Sequence, residues 1–324
     1  MKNLISNINF GKKLTALLGL PIIAIFIFSG KEIRRDFQQV SEMTTMVQLA
    51  DLAIAAGDLV HNAQAERGAT SLYLTSNGRE FGQQMQKQRE ETSRAVAAFR
   101  AEAARIGAAQ PRLTAALSAV SAKIDAMLAS HKKTDLLQHR AADMVTVYTA
   151  LISELIDLTA AEARQTSDPR TGSILRGYVT LSKIKEITGR ERALLTSAFT
   201  RGRTETAEYQ NLRDFLQARK TLEGVFASLA PDEVVAIFRK TKESATIAEF
   251  LRIENQAVAS GAGAASVADA KFWYQAATKH INDLRTAETG IQQQLRNSAL
   301  AVRSAAQRSL FTDIVFVVAV VFAA

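Results

Sequence analysis

QAERGATSLYLTSNG (residues 64–78) and GRERALLTSAFTRG (residues 189–202) are two versions of one sequence pattern. Each contains a Glu-Arg dipeptide, and its arginine (Arg67 or Arg192) is followed four positions later by a hydroxyl side chain. A glycine of the kind that ends helices comes ten or eleven positions after each arginine, and another arginine stands directly after each glycine. Repetition at this spacing predicts a duplicated helical unit, so we expect two related halves.

The charges of these two arginines are not neutralised within their own predicted helices, because no Asp or Glu lies three or four positions from either one. The residues alone leave two solutions open. Glu66 could pair with Arg192 and Glu191 with Arg67, which would tie the halves together without a ligand. Alternatively, a small anion could bind between the guanidinium groups, which stay protonated and offer forked donors to a planar oxyanion.

The composition favours long helices and excludes several kinds of site. Of the 324 residues, 47% are hydrophobic but only 6% are aromatic, four are proline and none is cysteine. Without cysteine, a disulfide or a thiolate metal site is impossible. The net charge of +8 is spread over predicted helices with interleaved acidic residues, a pattern more typical of a solvated surface than of a nucleic-acid interface.

Helical periodicity and turn signals together predict the fold class. Helices are expected over about 32–75, 79–106, 112–131, 134–166, 170–200 and 204–229, followed by shorter pieces to 260 and a last helix from about 269 into the C-terminal tail. Asp168 is expected to cap the fifth helix, with Pro169 in its first turn. We therefore predict an all-α fold of two four-helix-bundle-like halves with long antiparallel helices, flanked by transmembrane helices.

The first of these predicted helices has two neighbouring apolar faces. One of them carries Gln64, Arg67 and Ser71 as a polar island, and the other runs from Leu52 to Ala63. Periodicity does not decide which of the two faces packs into the core.

Both ends of the chain are apolar. The stretch from Leu14 to Phe28 contains no charged residue and is close to the lower length limit for a bilayer span. We expect an uncleaved transmembrane anchor there, with a cleaved signal peptide as the alternative. A second apolar run from Leu310 to Ala324 is expected to be the start of a truncated transmembrane helix, with a tail packed onto the domain as the alternative.

This organisation predicts three regions. Residues 1–30 form a cytoplasmic stub and anchor, residues 31–309 form the helical domain, and residues 310–324 begin the second span. Two anchors place the helical domain on one side of the membrane, although the flanking basic residues do not orient it. We expect the domain to lie outside the cytoplasm, in the periplasm of a protein of the inner membrane.

Patterns of catalytic and metal-binding residues are missing from the sequence. The four histidines are not at metal-ligand spacing, and no phosphate-binding loop, nucleophile elbow or acidic cluster occurs. We therefore expect no enzyme, no catalytic residue, no metal and no cofactor.

Three motifs in order, ERGATSLYL, KEITGRERALLTSAFTRG and WYQAATKHINDLRTAE, resemble the nitrate- and nitrite-sensing (NIT) domain of bacterial receptors over about residues 47–288. The resemblance implies two four-helix bundles that hold nitrate or nitrite through arginines near their shared interface. The implied ligands, in order of motif match, are Arg67, Arg192, Arg190 and Arg252. Of these, Arg190 has a simpler explanation, since Glu186 lies four positions before it.

The expected function is a membrane-bound receptor input domain that binds nitrate or nitrite and transmits a helix displacement to a cytoplasmic output module, as in chemotaxis receptors. Two alternatives stay open: a sensor of another small oxyanion or a carboxylate, and a non-binding helical scaffold or dimerisation module. The expected partners are the small anion, the membrane, a second copy in a homodimer and the output module, but no nucleic acid.

Overall fold

The computed structural model describes residues 10–166 and 168–323, and these residues are helical almost throughout. The helices are α1 Phe10–Thr75, α2 Gly82–Ala109, α3 Thr114–Asp135, α4 Ala141–Gln165, α5 Pro169–Arg201, α6 Thr206–Leu229, α7 Asp232–Lys242, α8 Ala245–Ser260 and α9 Ala270–Ala323. A single 3-10 turn, Pro111–Leu113, precedes α3. Within the described residues, β-structure is limited to one isolated bridge between Arg203 and Ala265. The predicted all-α class is confirmed.

The ends of several helices follow the expected local chemistry. Asp168 Oδ2 accepts a hydrogen bond from the Thr171 backbone N–H at 2.7 Å and so caps α5, which begins at Pro169. Gly202 ends α5 in a left-handed conformation with φ of 81°. The boundary between α3 and α4 differs from the prediction, because the chain turns over residues 136–140 with Leu137 at a φ of 53°. No glycine or proline marks that turn in the sequence.

The chain divides into two compact units, here called the central unit (residues 48–298) and the terminal unit (residues up to 47 and from 299). The central unit contains the two related halves. In the first half, α1 to α4 bury a core that includes Leu59, Phe99, Ile124 and Leu155. In the second half, helices α5, α6, α8 and α9 bury a separate core that includes Phe250 and Trp273, whose rings stack with centroids 5.3 Å apart.

Both apolar faces of α1 are buried in the central unit. The face from Leu52 to Ala63 packs into the core of the first half. The other face packs against the second half, where a Cβ added at Gly57 would lie 1.5 Å from the Tyr178 hydroxyl of α5. Periodicity could not choose between the two faces because α1 serves both halves at once.

In the terminal unit, the beginning of α1 and the end of α9 lie side by side and antiparallel. Met43 and Met46 of α1 form an apolar cluster with Ala306 of α9, and carboxylate oxygens of Asp36 and Asp313 lie within 4.8 Å of each other. Large apolar side chains beyond these contacts face outward in the described structure. They are Ile23, Ile25, Ile27 and Phe28 on α1 and Phe311, Ile314, Val315, Phe316, Val318 and Phe322 on α9.

By length and composition alone, three described helical segments could cross a membrane: Ile23–Thr75, Pro111–Asp135 and Ala141–Arg164. The first contains part of the predicted N-terminal anchor. The other two contribute buried residues to the core of the first half, such as Ile124 and Leu155. The predicted second anchor at the C-terminus stays a prediction.

Candidate functional site

The two charged side chains of each Glu-Arg dipeptide lie in different environments within the central unit. Neighbouring residues of an α-helix point about 100° apart. Glu66 and Glu191 are fully buried within their own halves, whereas Arg67 and Arg192 lie where α1 meets α5. The dipeptides therefore place two arginines, one from each half, at the contact between the halves.

In the first half, hydrogen bonds hold Glu66 in its ionised form. Tyr148 Oη donates to Glu66 Oε1 at 2.6 Å. His131 Nε2 lies 2.8 Å and Arg89 Nε 3.7 Å from the same oxygen. Burial alone would raise the pKa of this carboxyl, but hydrogen bonds from His131, Tyr148 and Thr92 together lower its pKa below the ordinary value. Glu66 Oε1 thus has its partners within its own half.

In the second half, Glu191 shares an arginine with another acid. Arg219 of α6 donates through Nη1 to Glu191 Oε2 at 2.7 Å, and its Nη2 contacts Glu254 of α8. Burial raises the pKa of Glu191 well above its ordinary value; Arg219 opposes the rise and Glu254 adds to it. The buried glutamates of the two dipeptides thus have opposite pKa shifts.

Arg67 forms a forked ion pair across the contact between the halves. Its Nη1 and Nη2 donate to Glu186 Oε1 and Oε2 of α5 at 2.7 and 3.0 Å. Nη1 also donates to Thr149 Oγ1 of α4 at 2.8 Å. Gln64, one turn before Arg67, donates to Glu186 Oε2 at 2.9 Å. The charge of Arg67 is therefore neutralised by a carboxylate from the other half.

In the described part of the chain, the partners of Arg192 are neutral. Its Nη1 donates to Thr278 Oγ1 of α9 at 2.9 Å, and its guanidinium carbon lies 4.8 Å from the centroid of the Tyr274 ring. Among residues 10–166 and 168–323, no Asp or Glu forms an ion pair with it. Burial lowers the pKa of Arg192 and the nearby charge of Arg67 lowers it further, against the influence of Tyr274 and Glu186.

Two glycines make room for the two guanidinium groups. A Cβ at Gly68 of α1 would lie 3.1 Å from Arg192 Nη2, and a Cβ at Gly189 of α5 would lie 3.5 Å from Arg67 Nη2. Each arginine thus reaches over a glycine of the opposite helix. The arrangement repeats the duplication of the sequence and places the two charges close to each other.

The duplication breaks at the carboxylate. Glu186 stands five positions before Glu191, and the matching position five before Glu66 is His61. Burial lowers the pKa of His61 to about 3, with the charges of Lys185 and Arg285 adding to the shift, so this ring is neutral near pH 7. The second half thus supplies a carboxylate to Arg67, whereas the described residues of the first half supply none to Arg192.

The site formed by Arg67, Arg192 and Glu186 has an excess of one positive charge. Two guanidinium groups contribute +2 and one carboxylate contributes −1, which leaves +1 in a largely buried place. A buried charge without a counter-ion is costly, so a singly charged anion would stabilise this site. Thr278 and Thr149 add hydroxyl groups beside the guanidinium groups.

The other two predicted arginine ligands lie on exposed surfaces. Arg190 points away from the pair, with its guanidinium carbon 4.7 Å from the centroid of the Phe215 ring. Arg252 of α8 is held on its own helix by Glu249 and Gln256. The described contacts do not join either of them to Arg67 or Arg192, and their roles as ligands stay predictions.

Sequence reasoning missed the partners of the two arginines. The ligand-free network of Glu66 with Arg192 and Glu191 with Arg67 does not form. Helix spacing predicts that Glu186 pairs with Arg190, but its carboxylate pairs with Arg67 of α1 instead. The two α9 partners, Tyr274 and Thr278, do lie inside the third motif, so the motif marked the right helix without marking the residues.

Similarity to known proteins agrees with this architecture. A nitrate regulatory protein of Klebsiella oxytoca is 26% identical over 271 residues, which cover 82% of this chain and 66% of that protein, so the match extends over slightly less than two thirds of the relative. The structure of the NasR transcription antiterminator aligns with a TM-score of 0.73 at 21% identity, over 90% of this chain and 83% of that one, and supports the fold. The profile of the nitrate and nitrite sensing family matches residues 58–296, and the chain therefore belongs to that family.

Proposed function

We propose that this chain is the sensor part of a membrane-anchored receptor, in which Arg67 and Arg192 together bind one nitrate or nitrite ion. Membership of the nitrate and nitrite sensing family supports the ligand class. The observation that carries the residue assignment is that the guanidinium groups of Arg67 and Arg192 lie near each other where α1 meets α5, while only Arg67 has an acidic partner in the described structure. A planar anion with a single negative charge matches both the forked donors and the excess charge.

Anion binding would signal by changing how α1 and α5 pack. An ion held by both arginines would bridge α1 and α5. It would also be linked to α9, because Arg192 contacts Tyr274 and Thr278 of that helix. Displacements of about 1–2 Å between packed helices are a common form of signalling. The ion can favour one packing only by binding it more tightly than the other.

A location in the inner membrane is part of the same proposal. Apolar side chains face outward on the parts of α1 and α9 that form the terminal unit, which is what lipid contact requires. Since these segments run antiparallel, both apolar runs lie at the same end of that unit, as two anchors in one bilayer would. On this proposal residues 1–30 and 310–324 are anchors, and residues 31–309 lie outside the cytoplasm. A homodimer would then act on a cytoplasmic output module.

Titration calorimetry and thermal unfolding of the whole chain in detergent micelles test the ligand and its residues. We expect one ion to bind per chain, with a stabilisation of about 2.7 kcal/mol at a concentration one hundred times the Kd. Arg192→Ala is expected to abolish both signals, because Arg192 is the charge without a carboxylate. Arg252→Ala is the matched control, since that arginine is exposed and paired on its own helix.

The outcomes separate the competing functions. Absence of heat and of a thermal shift with nitrate and nitrite would contradict the proposal. Tighter binding of acetate or sulfate than of nitrate would favour a sensor of another anion. A loss of stability in Arg67→Ala, with no effect of any anion on the wild-type protein, would favour a helical scaffold. A loss of binding in Arg252→Ala would place Arg252 in the site.

A further inference from the structure

Glu186 occupies the place at Arg67 that a planar anion would take. Its two carboxylate oxygens accept from the two terminal nitrogens of Arg67 at 2.7 and 3.0 Å, so both arms of the fork are used. The carboxylate presents two oxygens on one planar centre, as nitrite does and as one edge of nitrate does. A bound oxyanion that used the same fork would compete with Glu186 for these donors.

The contacts around Glu186 hold it in this place. Gln64, which lies on α1 one turn before Arg67, donates to Glu186 Oε2 at 2.9 Å. Glu186 is itself buried. Arg192, by contrast, donates to a neutral hydroxyl and has no carboxylate among the described residues. An incoming anion would therefore meet one available guanidinium and one that is already engaged.

An alternative partner for Glu186 lies on its own helix. Arg190 stands four positions after Glu186, which is the favourable order and spacing for an acidic and a basic residue on a helix. In the present structure Arg190 lies over the ring of Phe215 and pairs with no Asp or Glu of the described residues. A change of side-chain rotamer could thus move the Glu186 carboxylate from Arg67 toward Arg190.

We propose that Glu186 is an internal competitor of the ligand, which holds Arg67 until an anion binds and moves toward Arg190 when a singly charged oxyanion takes its place. This inference rests on the function proposed above. The anion takes the place of a carboxylate of equal charge at Arg67, and the released carboxylate gains Arg190 as a new cation, so the excess positive charge over the three arginines falls from two to one. It gives the site two states with different contacts between α1 and α5, which is what a ligand-controlled switch needs.

The replacement Glu186→Gln tests the competition in the whole chain. Removal of the competing charge is expected to tighten nitrate binding by about tenfold or more, measured as Kd by calorimetry. Glu191→Gln is the matched control: it removes a buried acid of the same helix that contacts Arg219 rather than the two site arginines, so Kd should not change. Circular dichroism and thermal unfolding establish that both variants are folded.

A weaker or unchanged nitrate affinity in folded Glu186→Gln would overturn the inference, because Glu186 would then only position Arg67. Nitrate binding by the wild-type protein in the same experiment would leave the proposed function intact. If the wild-type protein and both variants all fail to bind nitrate, the proposed function itself is overturned, and the competition with it.

A double-mutant cycle tests the exchange toward Arg190. Arg190→Ala should weaken nitrate binding several-fold in the wild-type background, because the released carboxylate loses its second partner. It should have no effect in the Glu186→Gln background, where there is no carboxylate to release. Equal weakening in both backgrounds would contradict the exchange and would indicate that Arg190 contacts the anion directly.

Discussion

The two halves of the central unit repeat one design and differ in how they treat its charges. In the first half Glu66 is surrounded by donors and its pKa is lowered, whereas in the second half Glu191 shares one arginine with Glu254 and its pKa is raised. At the contact between the halves, Arg67 has a carboxylate partner and Arg192 has none in the described structure. Duplication supplied two matching arginines, and divergence around them left one of the two without a carboxylate in the described structure.

The largest effect on stability is expected from the buried glutamate of the first half. Glu66→Gln removes a fully buried carboxylate and leaves Tyr148 and His131 facing an amide, although Arg89 keeps its ion pair with Asp135, so the free energy of unfolding should fall by about 3–5 kcal/mol. Glu191→Gln should cost about 1 kcal/mol or less, because burial already disfavours the charge of Glu191 and Arg219 keeps its ion pair with Glu254. Urea unfolding at pH 7 measures both, and equal losses would contradict the difference between the halves.

The same two variants should change the pH dependence in opposite directions. The pKa of Glu66 is lower in the folded protein than its ordinary value of 4.5, so its stabilisation is present above pH 4.5 and is lost as pH falls. The pKa of Glu191 is raised, so its cost grows as pH rises above 4.5. Glu66→Gln should therefore flatten the acid limb of the stability profile, and Glu191→Gln should remove a decline toward higher pH.

A second effect of somewhat smaller size is expected at His61, the position that matches Glu186. Its folded pKa of about 3 lies below its ordinary value of 6.5, so its contribution to stability is complete above pH 6.5 and is lost between pH 6.5 and 3. His61→Gln should remove about 2–4 kcal/mol of that loss, after allowance for partial solvent exposure. The difference between the wild-type and variant stability profiles measures it, because other acids titrate equally in both proteins. Parallel profiles would show that His61 does not titrate in this way.

Much of the fold follows from local sequence signals. The Asp168-Pro169 cap and Gly202 mark the ends of α5 because each side chain acts on its own backbone. The turn after α3 left no such signal, since Leu137 takes the positive φ at the end of α3, where glycine is the usual residue, and the turn is closed by local backbone hydrogen bonds such as Gln138 N–H to Lys133 O. Both apolar faces of α1 were visible in the sequence. Their joint burial requires the second half, whose position periodicity cannot give.

The sequence singles out part of the candidate site. Arg67 and Arg192 stood out because neither has an acidic neighbour within its helix, and the structure brings them together. Glu186 could not be assigned, since the spacing to Arg190 gives a plausible partner and the contact with Arg67 joins residues 119 positions apart. The contacts of Glu66 with Arg89 and of Glu191 with Arg219 likewise could not be predicted, because each joins two helices whose packing the sequence does not show.

The smallest predicted effect concerns the two glycines that face the arginines. Alanine at Gly189 would place its Cβ at an ordinary contact distance from Arg67, so we expect the gain in helix propensity, about 0.5–1 kcal/mol, with no change in nitrate affinity.

Alanine at Gly68 would place its Cβ 3.1 Å from Arg192 Nη2, so the guanidinium must move by a few tenths of an ångström. Arg192 is the cation that lacks a carboxylate, and a displaced fork binds a planar anion less well. Gly68→Ala should therefore keep or raise the melting temperature while weakening nitrate binding several-fold. Equal nitrate affinities in Gly68→Ala and Gly189→Ala would indicate that the anion does not depend on the position of Arg192.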